Sequence, residues 1–101
     1  MKIYYPDNWV LIDIITPEET IRKVFAGWVG GWTEGDSWKL SSGTEKIVEV
    51  NEHITDYIQY SGSIYSCHKF NNRMNLYMKN ILASWMESIP EGYSIKVVDS
   101  E

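Results

Sequence analysis

The sequence contains one cysteine and two histidines among its 101 residues. A single cysteine, Cys67, excludes an internal disulfide and favours a reducing compartment. No apolar run approaches the length of about 20 residues that a membrane-spanning helix needs. The first residues, MKIYYPD, do not have the pattern of a signal peptide. We therefore expect a cytoplasmic protein that does not enter a membrane.

Positive charge is also scarce. Nine Lys and Arg residues stand against 14 Asp and Glu residues, which gives a formal net charge of -5. A nonspecific nucleic-acid binder needs excess positive charge to displace counterions from phosphate, so the composition excludes that class. A hydrophobic fraction of 44% with 14% aromatic residues is enough for one globular domain over residues 1–101.

No specific catalytic, metal or cofactor motif is present. The block Gly35-Asp36-Ser37 also occurs in some serine hydrolases, but no helix is predicted after Ser37, so a turn is favoured over a nucleophile. Cys67 and His68 are neighbours in sequence, and neighbouring side chains on a strand point to opposite faces. We therefore expect Cys67 to be a core residue, and we expect neither catalytic residues nor a bound metal or cofactor.

The N-terminal part of the chain predicts strands. Residues 9–15, WVLIDII, form a β-branched apolar run that is typical of a strand covered on both faces. The segment 16–28 has two interpretations. Thr16-Pro17-Glu18-Glu19 is a helix-start signature, but glycines and β-branched residues would leave that helix short, so we favour a strand. On a strand, alternate residues share a face: Val24, Ala26 and Trp28 on one, Phe25 and Gly27 on the other.

The middle of the chain predicts turns and short strands. Glu34-Gly35-Asp36 indicates a turn, and Ser37–Leu40 a strand that returns from it. Three further strands, at 45–50, 53–60 and 63–70, are separated by short polar loops that favour an antiparallel meander.

One helix is predicted near the C-terminus. Asn71 or Asn72 caps it, and its apolar residues recur at helical spacing: Met74, Tyr77, Met78, Ile81, Leu82, Trp85 and Ile89. Pro90-Glu91-Gly92 ends this helix, and Tyr93–Val98 forms a last strand at the sheet edge. The predicted fold is a single α+β domain, in which one long amphipathic helix packs across one face of an antiparallel sheet of about five to seven strands.

Tryptophan and glycine are concentrated in residues 26–43, AGWVGGWTEGDSWKLSSG, which hold three tryptophans and five glycines. Large indole rings next to glycines, which have no side chain, form an uneven surface that a partner can fit. Because one helix covers only one face of a sheet, some of the Trp and Tyr side chains of the sheet should contact a partner on the other face. The predicted partner-binding residues are Trp28, Trp32, Asp36, Trp38, Tyr60 and Tyr65.

A second candidate site follows from the charge pattern. No acidic residue occurs from Tyr57 to Met86, whereas Lys69 and Arg73 precede the predicted helix. Cations beside a helix N-terminus oppose its dipole, and an anion bound there would explain them. His68, Lys69 and Arg73 are therefore a candidate site for a phosphate, a carboxylate or an acidic partner. The alternative is an ordinary solvated basic face.

Two stretches, residues 26–43 and residues 60–69 (YSGSIYSCHK), resemble small accessory proteins of tailed phages and prophages. The resemblance implies a setting in the cytoplasm of a bacterial host, and no residue inherits a role from it. Proteins of this setting often bind and block a host factor. We expect a non-enzymatic protein that binds and inhibits a host macromolecule, or that pairs with a second copy of itself. The alternative is a binder of a small anionic ligand such as a nucleotide, using aromatic stacking, Lys69 and Arg73.

Overall fold

The computed structural model describes residues 1–98, apart from the side chains of Trp32 and Thr33. Within these residues the chain forms eight strands in two four-stranded sheets. The strands are β1 (Ile3–Tyr4), β2 (Asn8–Ile15), β3 (Thr20–Trp28), β4 (Ser37–Leu40), β5 (Thr44–Glu49), β6 (Ile54–Gln59), β7 (Ile64–His68) and β8 (Ser94–Val98). The helices are α1 (Gly31–Glu34), α2 (Leu76–Glu87) and a 3-10 helix (Lys69–Asn71).

The α+β class is confirmed, but the prediction of one sheet with five to seven strands is wrong. The first sheet has the strand order β1-β7-β6-β5 and the second has the order β4-β3-β2-β8. Strands β5, β6 and β7 form the predicted meander, and β8 lies at the predicted sheet edge. The pairing of β1 with β7 is parallel, which the sequence pattern did not predict.

One of the crossings between the sheets is the short connection from β4 to β5. The Val24 amide donates to Ser41 Oγ at 2.8 Å, which fixes the start of this connection to the second sheet. The Gly43 amide donates to Gln59 Oε1 at 3.1 Å, which fixes its end to the first. Gly43 has a φ of 145° and a Cβ there would lie 3.2 Å from the Tyr60 ring. A side chain at this position would therefore be strained.

Strands β2 and β3 supply two cores, one on each face of the second sheet. The core between the sheets contains Trp9, Leu11, Val24, Ala26, Tyr57, Tyr65 and Cys67. The core under the helix contains Val10, Ile12, Phe25, Met78 and Leu82. The alternation along β3 matches the predicted faces, and β2 is covered on both sides as its apolar run predicts. The layers are therefore first sheet, second sheet and α2.

The segment before β3 forms a turn, which decides between the two interpretations of residues 16–28 in favour of the strand. Thr16 Oγ1 accepts the Glu18 amide at 3.2 Å and the Glu19 amide at 3.0 Å. A threonine that caps a helix makes similar bonds, so its sequence signature is shared by both structures. Here β3 begins at Thr20 and pairs with β2 along its length.

Helix α2 is shorter than predicted and begins later. It has 12 residues, and Asn75 caps it by accepting the Met78 amide at 2.8 Å, so the predicted cap at Asn71 or Asn72 is wrong. The 3-10 helix and a bridge between Trp9 and Arg73 occupy the chain before Asn75. Met78 packs so closely on β3 that a Cβ on Gly27 would lie 2.5 Å from its sulfur. No helix in residues 1–98 combines the length and hydropathy needed to cross a membrane.

Candidate functional site

Two of the predicted partner-binding residues belong to the interior. Tyr65 is 2% exposed and stacks on Tyr4 in the core between the sheets. Trp28 is half-buried against the same core, and its Nε1 donates to the Tyr5 carbonyl at 3.0 Å. Tyr65 therefore offers no surface to a partner, and Trp28 offers only part of its ring.

The exposed members of the predicted set lie in two different parts of the fold. Trp38 is on the helix side of the second sheet, where its ring meets Trp85 edge-on at 5.1 Å. Tyr60 is exposed in the connection between β6 and β7, and Asp36 is exposed before β4. The side chain of Trp32 lies outside the described residues. The structure therefore does not bring the predicted set together on one face.

The three candidate anion ligands are engaged by other groups. His68 Nδ1 accepts the Phe70 amide at 3.2 Å, and an Arg73 guanidinium N–H donates to the Phe70 carbonyl at 2.6 Å. Lys69 Nζ lies 3.0 Å from Glu49 Oε1. Glu49 therefore balances the charge of Lys69, whereas the Arg73 guanidinium is bonded to a backbone carbonyl.

An open cleft of about 390 Å³ lies where the two sheets separate beside β5. Trp9 and Tyr57, with ring centroids 5.4 Å apart, are its buried aromatic residues. The other lining residues are Ile47, Glu49, Thr55, Lys69 and Asn72. Three strands (β2, β5 and β6) and the 3-10 helix with the residue after it thus bring aromatic, aliphatic and charged groups to one concave surface.

The strand register explains why the cleft is open. Ile47 pairs with Tyr57 and Glu49 with Thr55, so all four side chains share the inner face of the first sheet. Ile47 is nevertheless 52% exposed, and it belongs to neither core. Among the described residues, the second sheet therefore leaves this part of β5 uncovered.

The polar groups of the cleft form a local network. Thr55 Oγ1 donates to Glu49 Oε1 at 3.2 Å, and the hydrogen bond from Lys69 holds the pKa of Glu49 below its ordinary value. Burial, with a smaller contribution from nearby Cys67 and Glu49, raises the pKa of Tyr57 to about 12. The Tyr57 hydroxyl is therefore protonated at neutral pH and is a hydrogen-bond donor.

The thiol of Cys67 is the remaining candidate nucleophile, and it lies in the core between the sheets. Cys67 is fully buried, and its thiol donates weakly to the Tyr65 carbonyl at 3.6 Å. Burial raises the pKa of this thiol, so the reactive thiolate is disfavoured. This confirms Cys67 as a core residue. Within residues 1–98, no group of three His, Cys, Asp or Glu side chains is arranged to hold a metal ion.

The cleft was not predicted from the sequence. The letters TEKIVE of β5 do place Ile47 and Glu49 on one face, but only the two-sheet arrangement shows that this face is inward and uncovered. No protein family, curated protein or solved structure matches this chain. Its own geometry therefore carries the functional argument.

Proposed function

We propose that this chain is a non-enzymatic interaction protein that binds an extended segment of a partner protein at the cleft beside β5. The observation that carries the proposal is the exposure of Ile47. Ile47 is an apolar side chain on the inner face of a sheet, yet it is half exposed at the edge of an open cleft. An apolar side chain of a partner would complete the packing that this residue lacks.

The backbone of β5 supports the same mode of binding. β5 is the last strand of its sheet, and no strand in residues 1–98 pairs with its other edge. An unpaired edge presents N–H and C=O groups to which an extended segment can add as a further strand. The register shift between Thr44 and Lys46 confines regular pairing to residues 46–49. The added strand would therefore be short and would lie beside β5, at the open side of the cleft.

The cleft matches the alternation of such a strand. Side chains of an added strand point alternately to the two faces of the sheet, so every second one would face the cleft. The volume of about 390 Å³ lies within the usual range of ligand pockets. The Glu49–Lys69 pair at the cleft offers both charges to polar groups beside the apolar side chain. The expected partner segment is extended, with apolar residues at alternating positions.

The resemblance to phage accessory proteins supports a host protein as the partner. Binding a segment as an added strand removes that segment from other interactions of the host protein. The chain would inhibit the host protein by occupying this segment, and such inhibition needs no catalytic group in this chain.

Ile47→Lys is expected to abolish capture of the partner, because an ammonium group would have to be buried where an apolar side chain packs. Val29→Lys is the matched control, since Val29 is equally exposed and lies outside the cleft. Tagged wild-type and variant chains are incubated with bacterial lysate, and bound proteins are quantified by mass spectrometry. We expect a protein that wild type and Val29→Lys retain and Ile47→Lys loses. Capture of the same proteins by all three chains would contradict the proposal.

A small ligand is the second candidate, because the Trp9 and Tyr57 rings and the Lys69 ammonium line one cleft. A ligand that binds only the folded chain raises its melting temperature by mass action. If the ligand is a nucleotide, millimolar nucleotide should raise the melting temperature, and Lys69→Ala should remove the increase. Arg73→Ala should retain it, since Arg73 does not line the cleft. The absence of any increase with phosphate or nucleotides would contradict this candidate.

A further inference from the structure

The face of the first sheet that points away from the cleft carries several apolar side chains that are partly exposed. We call it the outer face, and its apolar residues are Ile3, Val48, Ile54, Ile58 and Ile64. None of them belongs to either core, and the apolar residues of α2 pack on the other sheet. Ile3 pairs with Ile64 and Ile64 with Ile58, so three isoleucines form a row across three strands. Large apolar patches of this kind mark interaction surfaces.

An incompletely bonded acid lies within the outer face. Asp56 stands between Ile54 and Ile58 on β6, and its Oδ1 is buried without a hydrogen-bond partner among the described residues. A buried carboxylate oxygen without a partner costs free energy, and a cation close to the partly exposed Asp56 side chain would offset part of that cost. The outer face is therefore complementary to an apolar surface that carries a positive charge near its centre.

A suitable cation is present on the same face. Lys46 pairs with Ile58, and Asp56 pairs with Val48, so Lys46 and Asp56 are diagonal neighbours on adjacent strands. Diagonal neighbours are about 7–8 Å apart between strands. Lys46 forms no ion pair with any residue in the described range. Within the described residues, Asp56 and Lys46 thus lie on the same face without forming an ion pair with each other.

We propose that a second copy of this chain packs against the outer face as a two-fold symmetric dimer. A two-fold axis that passes between Lys46 and Asp56 places each Asp56 opposite the partner's Lys46 and apposes the isoleucines. This arrangement is self-complementary, as a symmetric dimer interface requires. It uses the face of the first sheet opposite the cleft, so it is independent of the proposed function.

Charge reversal tests this dimer. The dissociation constant is measured by sedimentation across the micromolar range for wild type, Asp56→Lys and Lys46→Asp. Each single variant places like charges opposite each other, and each should weaken dimerisation about tenfold or more. An equimolar mixture of the two single variants should form a heterodimer, because all facing charges are then opposite. The double variant Asp56→Lys with Lys46→Asp should regain the affinity of wild type.

Several outcomes would overturn the inference. A wild-type chain that stays monomeric throughout the range would exclude the dimer, and so would a dimer whose dissociation constant neither single variant changes. Circular dichroism identifies any variant that fails to fold. In that case Lys46→Ala, a truncation at an exposed position, decides: weaker association supports the dimer and unchanged association contradicts it. A monomer that instead captures another protein through Ile58 would show that the outer face serves a different partner.

Discussion

Trp9→Ala is expected to lower the free energy of unfolding by about 3–5 kcal/mol, the usual range for truncating a large aromatic residue in a core. Trp9 is 1% exposed and packs in the core between the two sheets. Its Nε1 also donates to the His68 carbonyl at 2.8 Å, and its own carbonyl accepts from Asn72 Nδ2 at 3.2 Å. The ring thus connects β2 to the end of β7, and its loss removes both packing and a hydrogen bond. Urea unfolding followed by far-ultraviolet circular dichroism measures the change.

Tyr5→Ala is the matched control for this substitution. Tyr5 is a nearby aromatic residue, but its side chain is exposed. Surface truncations usually change stability by less than about 0.5 kcal/mol. If Trp9→Ala were no more destabilising than Tyr5→Ala, the two sheets would not pack through Trp9 as described.

Met78→Ala is expected to lower the free energy of unfolding by about 2–5 kcal/mol. Met78 is fully buried between α2 and β3, whereas Leu76 of the same helix is 73% exposed. Leu76→Ala should therefore have little effect. Equal effects of the two substitutions would mean that α2 presents a different side to the sheet.

A substitution at Gly27 provides a second test of the contact between Met78 and β3. A Cβ at this position would lie 2.5 Å from the Met78 sulfur, so Gly27→Ala alone should destabilise the chain. In the Met78→Ala background the same methyl group enters the space left by the thioether and should cost much less. The two substitutions should therefore be non-additive in a double-mutant cycle. Additive effects would show that Gly27 and Met78 do not touch.

The sequence predicts those parts of the fold that depend on neighbours along the chain. The apolar run at 9–15 predicts β2 as a strand covered on both faces. The segment at 16–28 predicts β3 and its two faces, because alternate side chains of a strand point to opposite faces. The helical spacing of Met78 and Leu82 likewise predicts which side of α2 is buried. The start of α2 is predicted at Asn71 or Asn72 instead of Asn75, because all three asparagines precede apolar residues and any of them could serve as the cap.

The second sheet could not be predicted in the same way. The crossing between sheets depends on Ser41 bonding to Val24 and on Gly43 bonding to Gln59, and these partners are 17 and 16 positions apart. A serine-glycine connection of this kind has the same local pattern as a hairpin loop. Once a second sheet covers Tyr65, the inference that uncovered aromatic residues form one surface no longer applies.

The candidate site was missed for a related reason. The sequence pattern marks tryptophans and cations, whereas the residue that marks the cleft is Ile47, an isoleucine on a strand with no distinctive motif around it. Its significance comes from its exposure on an inward face, which depends on how far the opposite sheet extends. Lys69 was identified as a candidate ligand, but its pairing with Glu49 joins residues 20 positions apart and was not predictable.

Hydrogen exchange of the wild-type chain, with and without the captured partner, tests the central claim most directly. An added strand bonds to the free edge of β5, so we expect slower amide exchange at residues 46–49 in the complex. Amides of β4, which is the edge strand of the second sheet and belongs to the tryptophan-rich segment, should exchange at the same rate in both samples. Slower exchange at Ser37–Leu40 with no change at 46–49 would contradict the account and assign binding to the tryptophan-rich segment instead.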